Sequence, residues 1–327
     1  MKPPIALRTL GIAVVAATVQ LIMIIAFAWP ATQMAPRDVP LVVAGPQAPA
    51  VAQQLERSQP GAFEITRKAD EAAARQALAD REAYGAIVTT PNGPRVIVAS
   101  AASPLVSQQL TQVAQQMAGV KAMPVQDVVA ADSDDPRGAG FGTLVLPLIM
   151  SGLAGAVMMT FLIKPLRWRL AGVITFSILG GLVTAAVAQG WFSILPGSYA
   201  EVAGVMALAI LAVAGTVAGL AAAIGQAGIG VGALTFLLLG NPLSAATAAP
   251  ELLPQPWGAI GQLLPPGAAV SLLRSVAFFD GSAAAGPLTV LLAWTAGGMA
   301  LFGIGGLRAR KTRDAAPAAE REPALAS

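Results

Sequence analysis

Three ionisable side chains, Glu251, Arg274 and Asp280, stand in an otherwise apolar stretch near the end of this 327-residue chain. An ionisable group held at membrane depth marks a substrate or ion path, whereas the same group at the interface is simply solvated. With the polar Asn241 and Gln262 of the same stretch, Glu251 and Arg274 form the set of candidates for a substrate path, and Asp280 ranks below them. Other chemistry is scarce. The chain has no Cys and no His, which removes thiol nucleophiles, disulfides and imidazole bases and leaves carboxylates and hydroxyls. No constellation of those groups meets the requirements of a catalytic site, so no enzyme activity and no cofactor is expected. No Lys follows a Gly, so the phosphate loop ending Gly-Lys-Ser/Thr is absent and any ATPase must be a separate polypeptide. Gly228, Gly230 and Ala233 have the spacing of a dinucleotide fingerprint but follow no strand, and read as a helix-helix turn. Asp132, Asp134 and Asp135 lack the spacing of a calcium loop and read as a flexible acidic linker, so no metal site is expected.

The elements that must position these residues belong to a membrane. Hydrophobic residues make up 55% of the chain and charged ones 11%, against roughly 25% in a soluble domain. A bilayer core requires about 20 residues without strongly polar groups. Charge-free gaps of that kind separate Arg8 from Arg37, Arg137 from Lys164, Arg169 from Glu201, Glu201 from Glu251, and Asp280 from Arg308. The gaps predict six transmembrane helices: Leu10–Trp29, Phe141–Ile163, Leu170–Ala188, Val202–Ile224, Ile229–Leu239 and Pro287–Gly306. The first is longer than the apolar core of a signal peptide and reads as an uncleaved anchor within residues 1–30. The 49 uncharged residues 202–250 suit two spans, broken at GQAGIGVG, Gly225–Gly232. Gly215, Gly219 and Ala223 recur every fourth residue on the fourth span and allow a second helix to come close, within the chain or in a dimer.

Residues 31–137 differ in kind. VPLVVAG and FEIT read as strands, Ala50–Arg57 as a helix, and Asp70–Glu82 as a helix capped by Asp70 with a solvated charged face. YGAIVTT and PRVIVAS flank Asn92-Gly93, a hairpin turn. Ser103 and Pro104 start a last helix with Leu105, Val106, Leu110, Val113 and Met117 on one face. The order β-α-β-α-β-β-α predicts an inserted α/β domain. It holds nine basic and eleven acidic residues, so it carries no positive excess and belongs on the extracytoplasmic side. Lys2, Arg8, Lys164, Arg167, Arg169, Arg308, Arg310, Lys311 and Arg313 all fall on the other side, which makes both termini cytoplasmic. Residues 138–306 are the five-helix membrane domain, and 307–327 read as a disordered cytoplasmic tail.

Between the fifth and last spans, residues 241–281 are too apolar for a surface loop, yet Pro242, Pro250, Pro254, Pro256, Pro265 and Pro266 forbid one straight helix. Two short helices that enter the outer leaflet and return satisfy both conditions, and such a hairpin must face protein or a water-filled cavity. Within it, Asn-Pro-Leu-Ser at 241–244, Pro-Glu-Leu-Leu-Pro at 250–254 and Leu-Pro-Pro-Gly at 264–267 resemble the corresponding region of the type 2 ABC exporter permeases, the group that includes the phage infection protein (Pip) type. The resemblance implies an α-helical polytopic permease of the bacterial inner membrane that works as a homodimer or paired permease with a separate ATP-binding subunit. It implies an amphipathic or lipid-like substrate, membrane lipids as partners, and no nucleic acid. MKPPIALRT before the first span and KPLRWR between the second and third are short for gripping such a subunit. The competing reading is a membrane-anchored scaffold that presents its α/β domain to a cell-envelope partner and transports nothing.

Overall fold

The computed structural model describes residues 4–91, 93–118 and 124–314. Helix α1, Ile5–Thr32, is apolar on every side and almost wholly exposed, as a helix surrounded by lipid would be. It leads into an α/β unit of β1 (Val39–Ala44), α2 (Ala48–Ser58), β2 (Phe63–Lys68), α3 (Glu71–Ala79), β3 (Gly85–Thr90), β4 (Gly93–Val98), α4 (Pro104–Ala118) and β5 (Val125–Asp127). The predicted order of elements is the one found, with β5 added at the edge. The sheet runs β2-β1-β3-β4-β5, with β1 parallel to β2 and β3, β4 antiparallel to β3, and β5 parallel to β4. Of the expected hairpin turn, Asn92 lies outside the described residues, and so does the side chain of Met117.

Period-two alternation divides the sheet residues between two cores. Val39, Leu41 and Val43 pack on one face with Leu55 of α2 and Val106 and Leu110 of α4. Val42 and Ala44 pack on the other with Ala74, Ala77 and Leu78 of α3. Local signals set the helix starts: the Asp70 carboxylate accepts the N–H of Ala73 at 2.8 Å, and the Ser103 hydroxyl accepts that of Val106 at 3.3 Å. The acidic segment that follows is not a free linker. Asp135 is buried, and its carboxylate accepts the N–H of Phe141 at 2.7 Å, closing the first turn of the next helix.

The remaining chain is a helical bundle: α5 (Ala139–Leu162), α6 (Leu166–Ala185, extended by a π-helical turn to Trp191), α7 (Tyr199–Ile224), α8 (Gln226–Ala233, extended by a π-helical segment to Gly240), α9 (Trp257–Gln262), α10 (Pro265–Phe278) and α11 (Ala285–Asp314). Among the described residues five helices, counting α1, are long and apolar enough to cross a membrane. The crossing expected at Ile229–Leu239 falls instead on a shorter element, 8 residues of α-helix and 7 of π-helix, roughly 20 Å long at helical rise. The break before it is narrower than expected. Gly225 alone, with φ +77° and ψ −157°, turns the chain, and helix resumes at Gln226 because Gly228 and Gly232 lie flat against Leu220 and Val217 of α7.

Helix α7 is the axis of the bundle, and its contact with α11 is made of backbone. A Cβ on Gly219 would come within 2.5 Å of the Gly298 carbonyl, and one on Gly298 within 2.7 Å of the backbone at Gly215 and Thr216. Small residues on both helices allow this approach. Ala223 joins the seam through its carbonyl, which accepts from the Arg308 guanidinium. That bond ties down a segment expected to be disordered: α11 continues through the basic RARKTR run to Asp314. Residues 315–327 lie outside the described part of the chain.

Residues 241–281 form a 3-10 turn at Pro250–Leu252 and then the helices α9 and α10. Eleven of the fourteen residues of α10 are buried, among them Ala269, Val270 and Leu273, which join the core of the bundle. The same segment grips the α/β unit from both sides. Ala248, Ala249 and Leu252 complete the core on one face of the sheet, and Phe279 enters the core on the other.

Candidate functional site

Where the α/β unit meets α10 and α11 there is an open cleft of about 390 Å³. Its polar wall is Arg81, Tyr84, Glu251, Gln262, Ser271 and Arg274, and its apolar wall includes Leu263, Pro287 and Val290. Three of the four substrate-path candidates, Glu251, Gln262 and Arg274, therefore share one site. Asn241 does not belong to it. It ends the π-helical segment and lines a separate hollow of about 230 Å³ with Phe27, Pro30 and Thr247, while its carbonyl accepts the Ser244 hydroxyl at 2.7 Å. Asp280 has a left-handed φ of +48°, is exposed, and lies outside both.

Glu251 is aimed by its backbone. The segment leaving α1 pairs with the 3-10 turn: the N–H of Arg37 donates to the Glu251 carbonyl at 3.2 Å, and the N–H of Ala35 to the Leu252 carbonyl at 3.0 Å. The Glu251 carboxylate then accepts the Tyr84 hydroxyl at 2.8 Å. Tyr84 is itself fixed just before β3, its N–H donating to the Pro40 carbonyl and its own carbonyl accepting the N–H of Ala99, each at 3.1 Å. Burial pushes the Tyr84 pKa well above its ordinary value, and the adjacent Glu251 charge pushes the same way. The phenol therefore stays protonated and stays a donor.

Arg81 corrects the expectation of a solvated face along Asp70–Glu82. Most of that face is as expected, with Glu71 paired to Arg75 at 2.7 Å and Lys68 to Glu82 at 2.8 Å. Arg81 instead follows the end of α3 with φ +61°, a turn that points it away from the helix and at α10. Its Nη1 donates to the Ser271 carbonyl at 2.9 Å and to the Ser275 hydroxyl, and its guanidinium lies 5.3 Å from the centre of the Phe279 ring. These contacts offset the cost of a left-handed conformation in a residue with a side chain, roughly 1 kcal/mol or more. Burial lowers the Arg81 pKa from its ordinary value, opposed by the charge on Glu251.

Arg274 is 5% exposed and serves the fold of the hairpin. Its Nη2 donates to the Ala246 carbonyl at 2.8 Å, and its Nη1 reaches the Ala248 and Ala245 carbonyls at 3.3 and 3.5 Å. The Phe141 ring sits 4.9 Å from its guanidinium carbon. One planar fork thus satisfies three carbonyls of a loop that has no regular structure to satisfy them. Gln262 is a similar brace, accepting the Ser271 hydroxyl at 2.6 Å and donating to the Ser244 carbonyl at 3.4 Å.

Of the helix-packing candidates, Gly215, Gly219 and Ala223 all lie on the α7–α11 seam within one chain. The residues that sequence reasoning missed, Arg81 and Tyr84, are about 170 to 190 positions away from their partners in α10 and the 3-10 turn. No local pattern marks them. No family model matches this chain, and no curated protein or solved structure matches it either, so the geometry of the cleft is what a functional reading has to build on.

Proposed function

We propose that this chain is the permease-like subunit of a type 2 ABC-exporter-like transporter that moves an amphipathic or lipid-like substrate outward across the cytoplasmic membrane. The observation that carries the reading is the cleft itself. It joins a polar wall containing Arg81, Tyr84 and Glu251 to an apolar wall of Leu263, Pro287 and Val290, which is what a molecule with a polar end and an apolar end requires. In this reading the short α8 element and its π-helical extension make the sixth crossing, and residues 31–137 face the outside. The distribution of charge supports that orientation. Arg8, Lys164, Arg167, Arg169, Arg308, Arg310 and Lys311 all sit at the helix ends remote from the sheet.

The α/β unit acts in this scheme as part of the permease, since the hairpin contributes to both of its cores. Energy would come from a separate ATP-binding subunit, and the permease would pair with a second copy or a related chain. The test is deletion and complementation with the full chain, read as efflux of lipophilic compounds and as the lipid content of the outer leaflet, alongside copurification of an ATPase. Deletion is expected to change export, and Glu251→Ala is expected to fail to complement while folding normally. An unchanged phenotype together with no retained ATPase would remove the exporter reading and leave the membrane-anchored scaffold.

A further inference from the structure

Arg81 keeps unused donors. Both of its protein hydrogen bonds leave through Nη1, and among the described residues Nε and Nη2 have no protein partner. Arg274 lines the same cleft but spends both terminal nitrogens on loop carbonyls, so it adds charge without a free fork. Among the described residues Glu251 is the single carboxylate in the lining, and Tyr84 already occupies one of its oxygens. Two guanidiniums against one carboxylate leave the cleft with an excess of positive charge and one partly buried cation whose fork is open.

The mouth of the cleft is bordered by exposed apolar side chains. Leu263 is 63% exposed and follows Trp257 and Ile260 at three-residue spacing, so the exposed side of α9 is a stripe of apolar residues. Its end is fixed against α11 by the Trp294 indole N–H, which donates to the Leu263 carbonyl at 2.8 Å. On the other side Trp257 meets Trp29 of α1 edge to face at 6.4 Å, and α1 is the helix with no buried surface in its apolar window. Tryptophans at the end of an exposed apolar helix mark the membrane–water interface.

We infer that the cleft takes an anionic amphiphile, a lipid with a phosphate head group. The inference rests on the permease reading above and names the substrate class for the same site. The phosphate accepts from Nε and Nη2 of Arg81, for which a guanidinium fork has the right geometry. The acyl chains leave sideways past Leu263 and Val290 into the bilayer. Substrate therefore exchanges with the membrane and not with bulk water.

The experiment is native mass spectrometry of the full chain in detergent, titrated with phosphatidylglycerol or with diacylglycerol, which lacks the phosphate, of identical acyl chains. Phosphatidylglycerol is expected to be retained about tenfold more tightly, the size of effect that one charge-assisted fork supplies. Two variants examine the cause. Arg81→Gln should abolish the preference. Ala283→Asp adds a carboxylate to the rim at a position whose φ of +57° an Asp accepts readily, so it should lower the preference without loss of thermal stability, while Ala283→Asn should not. Millimolar glycerol 3-phosphate should leave the lipid bound. Equal retention of the two lipids overturns the inference, as does displacement by glycerol 3-phosphate, which would make this a site for a soluble phosphate. Equal retention with an efflux phenotype intact removes the head-group assignment alone. Selective retention with no efflux phenotype removes the exporter reading instead.

Discussion

Two seams hold this molecule together, and they are built on opposite principles. Between α7 and α11 the helices touch backbone to backbone through Gly215, Gly219, Gly298 and Gly305. Between the α/β unit and the 241–281 hairpin, a few apolar insertions, Leu252 and Phe279 among them, are joined by directional bonds from Arg81 and Tyr84, while Arg274 braces the hairpin from within. The first seam gains its energy from many weak contacts over a continuous surface, and without room for a side chain it has little freedom to shift. The second concentrates its energy in a handful of polar bonds next to an open cleft. A seam of that kind can be adjusted bond by bond, which suits the place where a ligand must enter and leave.

The largest effect should come from breaking the first seam. Gly219→Leu forces a side chain into the α11 backbone and is expected to cost about 3 kcal/mol or more, since overpacking against backbone cannot be relieved by a rotamer change. Gly11→Leu on α1 is the matched control, because nothing lies within 4 Å of that position and no destabilisation is expected. Thermal unfolding in detergent separates the two, and equal effects would show that the α7–α11 contact is not the tight one.

An intermediate effect is expected inside the hairpin that forms one side of the second seam. Arg274→Ala orphans the carbonyls of Ala245, Ala246 and Ala248 and should cost about 2–4 kcal/mol. Arg274→Lys should recover little of it, because one ammonium cannot span three acceptors. Full recovery by Lys would mean that charge, and not the fork, organises the hairpin.

The smallest effect belongs to Tyr84→Phe, which removes one bond to a carboxylate at a cost of about 1.5 kcal/mol. It carries a pH signature. The Tyr84 pKa is raised in the folded protein, so its contribution is fully present below the ordinary tyrosine pKa near 10 and is lost as pH rises above it. Above about pH 10 the native protein should lose stability more steeply than the Phe variant. Parallel curves would mean that the phenol is not held in its protonated form.

Much of the fold was legible because it follows from local pattern. Asp70 and Ser103 mark helix starts wherever the rest of the chain lies, and the alternation in β1 fixes which residues face each core. Boundaries slipped where a distant partner intervened. The tail was expected from residue 307 onward, but Arg308 reaches the end of α7 and the helix continues. Asp135 looked like part of a flexible linker until its bond to the N–H of Phe141 gave it a structural task. In the site, Glu251, Gln262 and Arg274 were visible because polar groups in apolar sequence are conspicuous. Arg81 and Tyr84 were invisible because in a polar domain one more charge or phenol is ordinary.

By itself the sequence determined that this chain is mostly helical, apolar over five long segments, and interrupted by an α/β unit, because hydropathy and periodicity are properties of neighbouring residues. By length and hydropathy it did not distinguish α1 from α7, and the stripe of Gly215, Gly219 and Ala223 marked α7 for close packing without naming its partner. Both are long and apolar throughout, yet the apolar window of one is 0% buried and that of the other 67%. Only the tertiary structure decided which became the axis. The physical reason is size: α7 carries glycines and alanines where α11 approaches, and close contact between backbones depends on what both helices leave out. The cleft has the same origin, since its cation and its carboxylate come from parts of the chain that only folding brings together.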